Sequence, residues 1–258
     1  GEIISYDWDF GDGQRGTGKM VAHTYRSPGV YDVGLYIVDS SGTIRNDASD
    51  TMTVVVNALP IADAGFDVVA APGETLTFDG RRSSDPDGEI ASYLWNFRDG
   101  NSAEGDVVTH AFSAPGYYSV ELQIHDDTGH EEATDFSQIL ITVNDQPTAE
   151  AGPDLSVAPG QAFVLSGAGS TDRDGSITNW RWDIQNTEGT LEGETVEHSF
   201  EEAGIYTITL TVTDDSIASN RTAQDELTVR LTSALREASG ASEPDDAVSR
   251  VVGALRTL

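Results

Sequence analysis

The sequence predicts an all-β protein built from antiparallel β-sandwiches repeated in tandem. Three blocks of the 258 residues share one spacing of marker residues, beginning with tryptophans at 8, 95 and 182. Within each block large apolar residues alternate with polar ones, which is the pattern of strands with one buried face. Turn sequences containing glycine recur at short intervals. Many short strands joined by such turns favour a sandwich.

The repeat is defined by four markers that keep their register three times. A histidine follows each tryptophan after 15 or 16 positions, a tyrosine follows the histidine after 8, and an aspartate follows the tyrosine after 8. The markers are Trp8, His23, Tyr31 and Asp39, then Trp95, His110, Tyr118 and Asp126, then Trp182, His198, Tyr206 and Asp214. This agreement identifies one domain that is repeated.

The alternation of apolar residues locates the principal strands. It predicts strands over 31–38, 118–125 and 206–213, and terminal strands over 52–57 and 139–144. We expect the marker tryptophans to lie in the sandwich core and the marker tyrosines to pack at a corner where a strand starts. The marker histidines are interpreted as structural hydrogen-bonding groups, because no serine or cysteine nucleophile keeps register with them.

Short motifs around the markers carry a family resemblance. They are WDFGDG at 8–13, HTY at 23–25 and PGVY at 28–31; SDPDG at 84–88, WNFRDG at 95–100 and HAF at 110–112; and STDRDG at 170–175 and HSF at 198–200. Together they resemble the PKD (polycystic kidney disease) repeat. The resemblance implies tandem immunoglobulin-like β-sandwiches of an extracellular or cell-surface protein. The third block departs from it at 182–187, where WDIQNT lacks the glycine-aspartate turn.

A motif that begins with proline marks the start of a block. Pro60 and Pro147 open the similar sequences PIADAG and PTAEAG. We therefore predict a partial domain over 1–58 (repeat 1), complete domains over 59–145 (repeat 2) and 146–232 (repeat 3), and a linker with a helix over 233–258. Since only two or three residues join a terminal strand to the next proline, whose backbone is restricted, neighbouring repeats should form a semi-rigid rod.

Repeat 1 lacks the opening strands of the pattern. Gly1 aligns with Gly88, so the sequence holds no counterpart of residues 60–87 ahead of it. A sandwich without those strands leaves one edge and part of its core open. Two explanations stand at this point. Either the sequence is cut from a longer chain, or another subunit donates the strand, which predicts self-association through the open edge.

After repeat 3 the pattern changes from strand to helix. Ser242 and Pro244 provide capping and first-turn signals. Apolar residues then follow at the spacing of one helical face, at Val248, Val251, Val252, Leu255 and Leu258. We expect a short amphipathic helix here, which opens a following domain, packs on a neighbour or frays.

Two acidic loops indicate a calcium site. Asp85 and Asp87 lie on one tight turn, and Asp172 and Asp174 lie on the equivalent turn of repeat 3. Crowded carboxylate oxygens suit Ca²⁺, which prefers several hard oxygen ligands. The alternative is that these aspartates only accept backbone N–H groups in Asx-turns.

The family resemblance implies the remaining ligands. PKD-like domains of bacterial collagenases carry a calcium at this kind of site. By that resemblance Asp126 and Asn57 would join Asp85 and Asp87, and Asp214 and Asn144 would join the set in repeat 3. Repeat 1 retains only Asp39, so no complete site is expected there.

Composition excludes several classes of function. Lys and Arg number 14 against 44 Asp and Glu, a net charge of −30, which repels nucleic acid and anionic lipid. Cysteine is absent, so disulfides and thiolate chemistry are absent too. The sequence has no apolar run of the length that spans a bilayer, and we expect no membrane insertion in this segment.

The favoured function is a non-catalytic stalk or filament spacer at the cell surface, stiffened by calcium. No nucleophile elbow, zinc-protease motif or P-loop is present, so no enzyme is expected. One alternative is a carbohydrate- or protein-binding accessory module of a secreted hydrolase, with Trp180 and Tyr117 as exposed rings. Another is a strand-exchanging filament subunit. Asn220 opens an N-R-T sequon and is a candidate glycosylation site.

Overall fold

The molecule is described by a computed structural model that covers residues 1–44, 46–130, 133–185 and 189–232. All regular secondary structure in these ranges is β-strand, which confirms the predicted all-β class. The predicted C-terminal helix lies outside the described residues. None of the described residues forms a helix that could cross a membrane. The chain divides into two compact units, Gly1–Asp145 with Ser216–Arg221, and Gln146–Asp215 with Thr222–Leu258.

Repeat 1 consists of a single antiparallel sheet. Its strands are β1 (Ile3–Asp9), β2 (Arg15–Thr17), β3 (Gly29–Asp39) and β4 (Asp47–Val56). They are ordered β2-β1-β3-β4, so β4 lies at an edge. In the described part of this repeat no second sheet covers the inner face. Trp8 is therefore only partly buried, and the prediction that all three marker tryptophans lie in a closed core is wrong for this one.

Repeat 2 is a complete sandwich. Its strands are β5 (Val68–Ala70), β6 (Thr75–Asp79), β7 (Ile90–Asn96), β8 (Ser102–Glu104), β9 (Val107–Ala111), β10 (Gly116–Asp126) and β11 (Thr134–Val143). One sheet has the order β5-β11-β10-β7-β8, and the other pairs β6 with β9. Trp95, Leu122 and Ile124 are fully buried between them, as the alternation predicts.

Repeat 3 reproduces this architecture. Its strands are β12 (Leu155–Val157), β13 (Phe163–Ser166), β14 (Ile177–Ile184), β15 (Thr190–Glu192), β16 (Thr195–His198), β17 (Gly204–Asp214) and β18 (Thr222–Leu231). The larger sheet is ordered β12-β18-β17-β14-β15, and β13 pairs with β16. Trp182, Ile208 and Leu210 form the centre of its core and are fully buried.

Each marker tryptophan is fixed by the same hydrogen bond. Its Nε1 donates to a glycine carbonyl at 3.0 to 3.1 Å. The acceptors are Gly18, Gly105 and Gly193, whose φ values of 117°, 133° and 130° lie where side chains are disfavoured. Glycine is thus required at these positions to turn the carbonyl towards the indole.

The marker tyrosines pack at corners, as expected. Tyr31, Tyr118 and Tyr206 each donate a hydrogen bond to the carbonyl four residues earlier, at 2.9 to 3.0 Å. The ring of Tyr206 also stacks on Phe200 at 3.8 Å between centroids. These bonds tie the loop before each long central strand to the strand itself.

Candidate cation site and the junction between repeats

The acidic loops form the Asx-turns that were the alternative to a metal site. In repeat 2 the Asp87 amide donates to Asp85 Oδ1 at 3.2 Å. In repeat 3 the Asp174 amide donates to Asp172 Oδ1 at 3.4 Å. In each turn only one carboxylate oxygen of the first aspartate accepts a hydrogen bond. The Asx-turn therefore explains the position of one oxygen and not of the other.

The second oxygen of each of these carboxylates has no hydrogen-bond partner. Asp85 Oδ2 and Asp172 Oδ2 are buried and accept no hydrogen bond, and they are the only such side-chain atoms in the described ranges. A buried polar atom without a partner costs free energy, more so when it carries charge. The same two orphaned oxygens in two repeats indicate that this position suits a cation.

A second carboxylate faces each orphaned oxygen, and sequence reasoning missed it. A Cβ added to Gly88 would lie 2.5 Å from Asp127 Oδ1 and 3.1 Å from Asp85 Oδ2. A Cβ on Gly175 would likewise collide with Asp215 Oδ1 and lie 2.7 Å from Asp172 Oδ2. Glycine therefore keeps open a cradle between two carboxylates. The available signal was the consecutive pair of aspartates at 126–127 and again at 214–215.

Electrostatics in repeat 3 agree with this arrangement. Burial raises the pKa of Asp172, and the neighbouring carboxylates of Asp174 and Asp214 raise it further. A raised pKa means that the folded protein disfavours the charged carboxylate at this position. A bound cation would remove that penalty.

Asp126 is satisfied by the protein itself. It is 4% exposed, and its Oδ1 accepts bonds from the Thr128 amide at 2.9 Å and the Thr128 hydroxyl at 2.6 Å. Its Oδ2 accepts a bond from Asn57 Nδ2 at 2.6 Å. The bond from the Thr128 hydroxyl lowers the pKa of Asp126 most, and the Asn57 bond adds to it.

The residues between repeats 1 and 2 are held by these carboxylates. Asn57 directly follows β4 and bonds Asp126 at the end of β10. The next amide, that of Ala58, donates to both oxygens of Asp87 at 3.0 and 3.2 Å. Three of the predicted site residues, Asn57, Asp87 and Asp126, thus meet at this junction.

Asn144, the counterpart of Asn57, contacts Ala70 and Asn220. It is 5% exposed, and its amide donates to the Ala70 carbonyl at 2.9 Å. Its Nδ2 donates to Asn220 Oδ1 at 3.3 Å, and Asn220 Nδ2 donates back to the Asn144 carbonyl at 3.0 Å. The amide of the candidate glycosylation residue is therefore engaged in hydrogen bonds. Asp214, in the other compact unit, is 2% exposed.

The fit to a metal ion is partial. No group of three or more His, Asp or Glu side chains in the described part of the chain is arranged to hold a metal. The pairs Asp85 with Asp127 and Asp172 with Asp215 offer oxygens to a common space, and Asp215 Oδ1 also accepts a bond from the Ser176 amide at 3.3 Å. Asp126 and Asp87 are occupied by donors of the junction. Oxygen ligands of this kind match calcium chemistry.

Repeat 1 differs at the equivalent position. Ser40 stands where the others have Asp127 and Asp215, and its hydroxyl accepts a bond from the Glu2 amide at 3.1 Å. Asp39 accepts a bond from the Ser41 amide at 2.7 Å, and hydrogen bonding by Ser41 lowers its pKa. Protein donors thus occupy this loop.

The marker histidines make structural contacts. His23 Nε2 lies 2.9 Å from Asp12 Oδ2, and His110 Nε2 lies 2.7 Å from Asp99 Oδ2. Each imidazole stacks on a phenylalanine ring at 4.0 Å between centroids. In repeat 3 burial lowers the pKa of His198. The position that aligns with Asp99 in this repeat lies outside the described ranges.

Comparison with known proteins identifies the family. A family model of the PKD domain matches residues 1–54, 57–141 and 144–229. The mouse dyslexia-associated protein KIAA0319 homolog is 30% identical over 240 residues, which are 83% of this chain and 22% of that protein. The pre-pro-metalloprotease PrtV of Vibrio cholerae is 33% identical over 129 residues, 50% of this chain and 14% of that protein.

One solved structure is also similar to part of the chain. The PKD1 domain of Vibrio cholerae metalloprotease PrtV is 32% identical, with 34% of this chain and 100% of that chain covered and a TM-score of 0.29. The chain spans less than a quarter of the mouse relative's length. Because the family model matches most of its residues, the chain belongs to the PKD domain family and carries three tandem copies of the domain.

Proposed function

We propose that this segment is a non-catalytic extracellular spacer whose first junction is held firm by side-chain bonds. The observation that carries the proposal is the tie from Asn57 to Asp126 and from the Ala58 amide to Asp87. A linker whose polar groups form hydrogen bonds with the next domain has less freedom to bend than a linker whose polar groups contact only solvent. The spacer would present whatever domains flank it outside the cell.

Calcium binding is the second part of the proposal. Asp85 with Asp127 and Asp172 with Asp215 would supply hard oxygens, and the bound ion would neutralise crowded carboxylates. In repeat 2 that loop also contains Asp87, which receives the Ala58 amide. Calcium would therefore order the loop that holds the junction, and the expected result is a stiffer spacer.

Hydrogen exchange tests the spacer and the ion together. The amide of Ala58 should exchange slowly in chelator, and more slowly in millimolar Ca²⁺ but not in the same concentration of Mg²⁺. The double variant Asp85→Asn with Asp127→Asn should lose the calcium effect, whereas Glu192→Gln, an exposed charge change on β15, should keep it. Rapid exchange at Ala58 in every condition would refute the firm junction, and equal exchange with and without Ca²⁺ would refute the ion.

A binding role is favoured by one observation on repeat 2. Leu94, Gln123 and Phe136 form a row across three strands on the outer face, and Leu94 and Phe136 are 37% and 51% exposed. The equivalent rows are Asp7, Tyr36 and Ser49 in repeat 1 and Arg181, Thr211 and Gln224 in repeat 3. Among these three equivalent rows, the one in repeat 2 carries two exposed apolar side chains, which suits a protein or carbohydrate ligand.

Binding assays with a panel of ligands test whether the segment is an accessory binding module. Soluble polysaccharides in affinity electrophoresis and immobilised collagen in surface binding are the probes. Binding that Phe136→Ser abolishes and Gln224→Ser preserves would assign an accessory binding module.

Of the two aromatic rings that were expected to be exposed, only one is. Tyr117 is 67% exposed, whereas Trp180 packs against the core of repeat 3.

A further inference from the structure

The central strand of repeat 1 has a glycine in the middle of its outer face. Gly34 on β3 lies opposite Asp9 on β1 and Thr51 on β4. The equivalent rows are Asn96, Glu121 and Gln138 in repeat 2 and Asp183, Thr209 and Glu226 in repeat 3. Repeat 1 is thus the copy in which the centre of this row has no side chain.

In the other two repeats the central side chain fills the row. Glu121 accepts hydrogen bonds from Arg98 at 3.0 Å and from Gln138 at 2.7 Å. Thr209 donates a hydrogen bond to Glu226 at 3.2 Å. A Cβ added to Gly34 would meet no atom within 4 Å, so packing does not require glycine there. Glycine inside a strand weakens it, and one reason to keep it is the close approach of a ligand to the backbone.

The absence of a side chain at Gly34 leaves a depression of about 370 Å³ on the outer face of repeat 1. This volume falls within the range of small-molecule sites. Gly34 lies in the depression, and the outer-face side chains around it are those of Asp7, Asp9, Arg15, Tyr36, Ser49 and Thr51.

Hydrogen-bond donors and acceptors lie side by side around Gly34. The guanidinium of Arg15 donates from Nε to Asp9 Oδ2 at 3.2 Å, and its second nitrogen lies 3.2 Å from the same oxygen. Because a guanidinium only donates and a carboxylate only accepts, the pair offers both functions at one place. Ser49 and Thr51 are exposed, and their hydroxyls can donate or accept.

Tyr36 adds an apolar surface to these polar groups. It is 44% exposed and lies between Asp7 and Ser49 in the next row of the sheet. Burial raises the pKa of Tyr36, and the carboxylates of Asp47 and Asp7 raise it further, so the hydroxyl stays neutral at physiological pH. A tyrosine of this kind presents an apolar ring with a polar tip.

Charge and hydrogen-bonding capacity select the class of ligand. The chain has a net charge of −30, which disfavours an anionic ligand. A cationic ligand would meet the Arg15 guanidinium beside Asp9. A neutral ligand with several hydroxyls avoids both penalties, because each hydroxyl can accept from Arg15 and donate to a carboxylate.

We propose that the depression around Gly34 binds one neutral pyranose unit of a saccharide. Tyr36 would pack against the sugar ring, and the Asp9–Arg15 pair with Thr51 would bond its hydroxyls. The proposal goes beyond the spacer function and does not depend on calcium. The site also lies on a different repeat from the apolar row that contains Leu94 and Phe136.

Nuclear magnetic resonance titration of the isotope-labelled chain tests the site. The probes are the methyl glycosides of glucose, galactose, mannose and N-acetylglucosamine. At least one of them should shift the amide signals of residues 34–36 and 49–51 saturably. A Kd of about 1 mM is expected for one sugar ring on an open site. The amide signals of β17 should stay unchanged.

Gly34→Thr places the residue of repeat 3 in the depression and should weaken binding at least about tenfold. Because threonine suits a strand, hydrogen exchange of the β1–β3 ladder should be as slow as in the parent chain or slower. Val30→Thr, on the same face of β3 but outside the depression, is the matched control and should bind like the parent.

A second pair of variants tests the ring. Tyr36→Ala should weaken binding at least about tenfold, because it removes the surface on which the sugar packs. Tyr36→Phe keeps the ring and should retain most of the affinity.

Four results would overturn the proposal. They are no saturable shift with any of the four glycosides, equal affinities of Gly34→Thr and the parent chain, and a loss in Tyr36→Phe as large as that in Tyr36→Ala. The fourth is that Nα-acetyl-lysine methylamide shifts the same amide signals while the glycosides do not. It would mean that the depression receives a lysine side chain of a partner protein.

Discussion

Asn57 Nδ2 lies 2.6 Å from Asp126 Oδ2, which links the residue that follows β4 to the end of β10 in the next repeat. Asp126 is buried, so few other donors reach that oxygen. The bond is a charge-assisted one, which is stronger than a neutral hydrogen bond. Together with the bond from the Ala58 amide to Asp87, it gives the junction two attachments within two residues.

Asn57→Ala tests the first attachment. The substitution leaves Asp126 Oδ2 without its donor, so the melting temperature of the unit that contains it should fall by about 2 to 4 °C. Asn179→Ala, an exposed asparagine on β14, is the matched control and should have no effect. Differential scanning calorimetry in chelator measures both, and an unchanged transition for Asn57→Ala would show that the bond contributes nothing.

Asp172→Asn should stabilise the protein in chelator at neutral pH. Because the folded-state pKa of Asp172 is raised, its protonated form stabilises the folded protein. This contribution to stability is fully present below the unfolded pKa near 3.8 and is lost as pH rises through the folded value. Removing the charge should increase the free energy of unfolding at pH 7 by about 0.5 kcal/mol.

Urea denaturation at pH 7 and pH 3.5 checks the sign. The gain should be present at pH 7 and shrink at pH 3.5, and Glu192→Gln should show no such difference. A loss of stability at pH 7 would mean that the Asp172 charge is favourable without an ion.

Gly88→Ala should weaken calcium binding by at least about fivefold. The added Cβ would lie 2.5 Å from Asp127 Oδ1 and displace the carboxylate. Gly34→Ala is the control, since a Cβ there meets no atom within 4 Å. Calorimetric titration with Ca²⁺ compares the two variants, and equal affinities would place the ion elsewhere.

Asp99→Asn tests the structural interpretation of the histidines. Burial alone would raise the pKa of Asp99, but its hydrogen bonds from His110 and Asn101 prevail and the pKa lies below the ordinary value. The contribution is therefore present above about pH 3.8 and is lost as pH falls through the folded value.

The variant should lose about 1 kcal/mol at pH 7, and the difference should close in acid. Asp7→Asn, an exposed change on β1, should show neither effect. Chemical denaturation from pH 7 to pH 2 makes the measurement, and a constant difference over that range would contradict the pairing.

The sequence predicted the long central strands well, because their periodicity follows the alternation of buried and exposed residues, whereas β4 and β11 begin five residues before the predicted ranges. β3, β10 and β17 extend one or two residues beyond the predicted ranges, and the alternation in β10 corresponds to the buried Val120, Leu122 and Ile124. Trp8 was the exception, since its burial depends on a second sheet and the described residues of repeat 1 form only one. A residue pattern states which face is apolar and leaves open what covers it.

The candidate site was predictable only in part, because its geometry depends on contacts distant in sequence. The turn at 85–88 and the aspartates at the strand ends followed from motifs and from the family resemblance. The approach of Asp127 Oδ1 towards Asp85 Oδ2 is set by how two loops pack beside Gly88. The use of Asp126 by Asn57, 69 positions away, likewise has no local signal.

The most direct test of the central claim is a distance measurement across the first junction. The chain has no cysteine, so Thr51→Cys with Thr109→Cys introduces two unique sites for spin labels in repeats 1 and 2. Double electron–electron resonance should give one narrow distance distribution in chelator, narrower still in Ca²⁺, and broadened by Asn57→Ala. A broad distribution in the parent protein, unchanged by Ca²⁺ and by Asn57→Ala, would contradict a firm spacer.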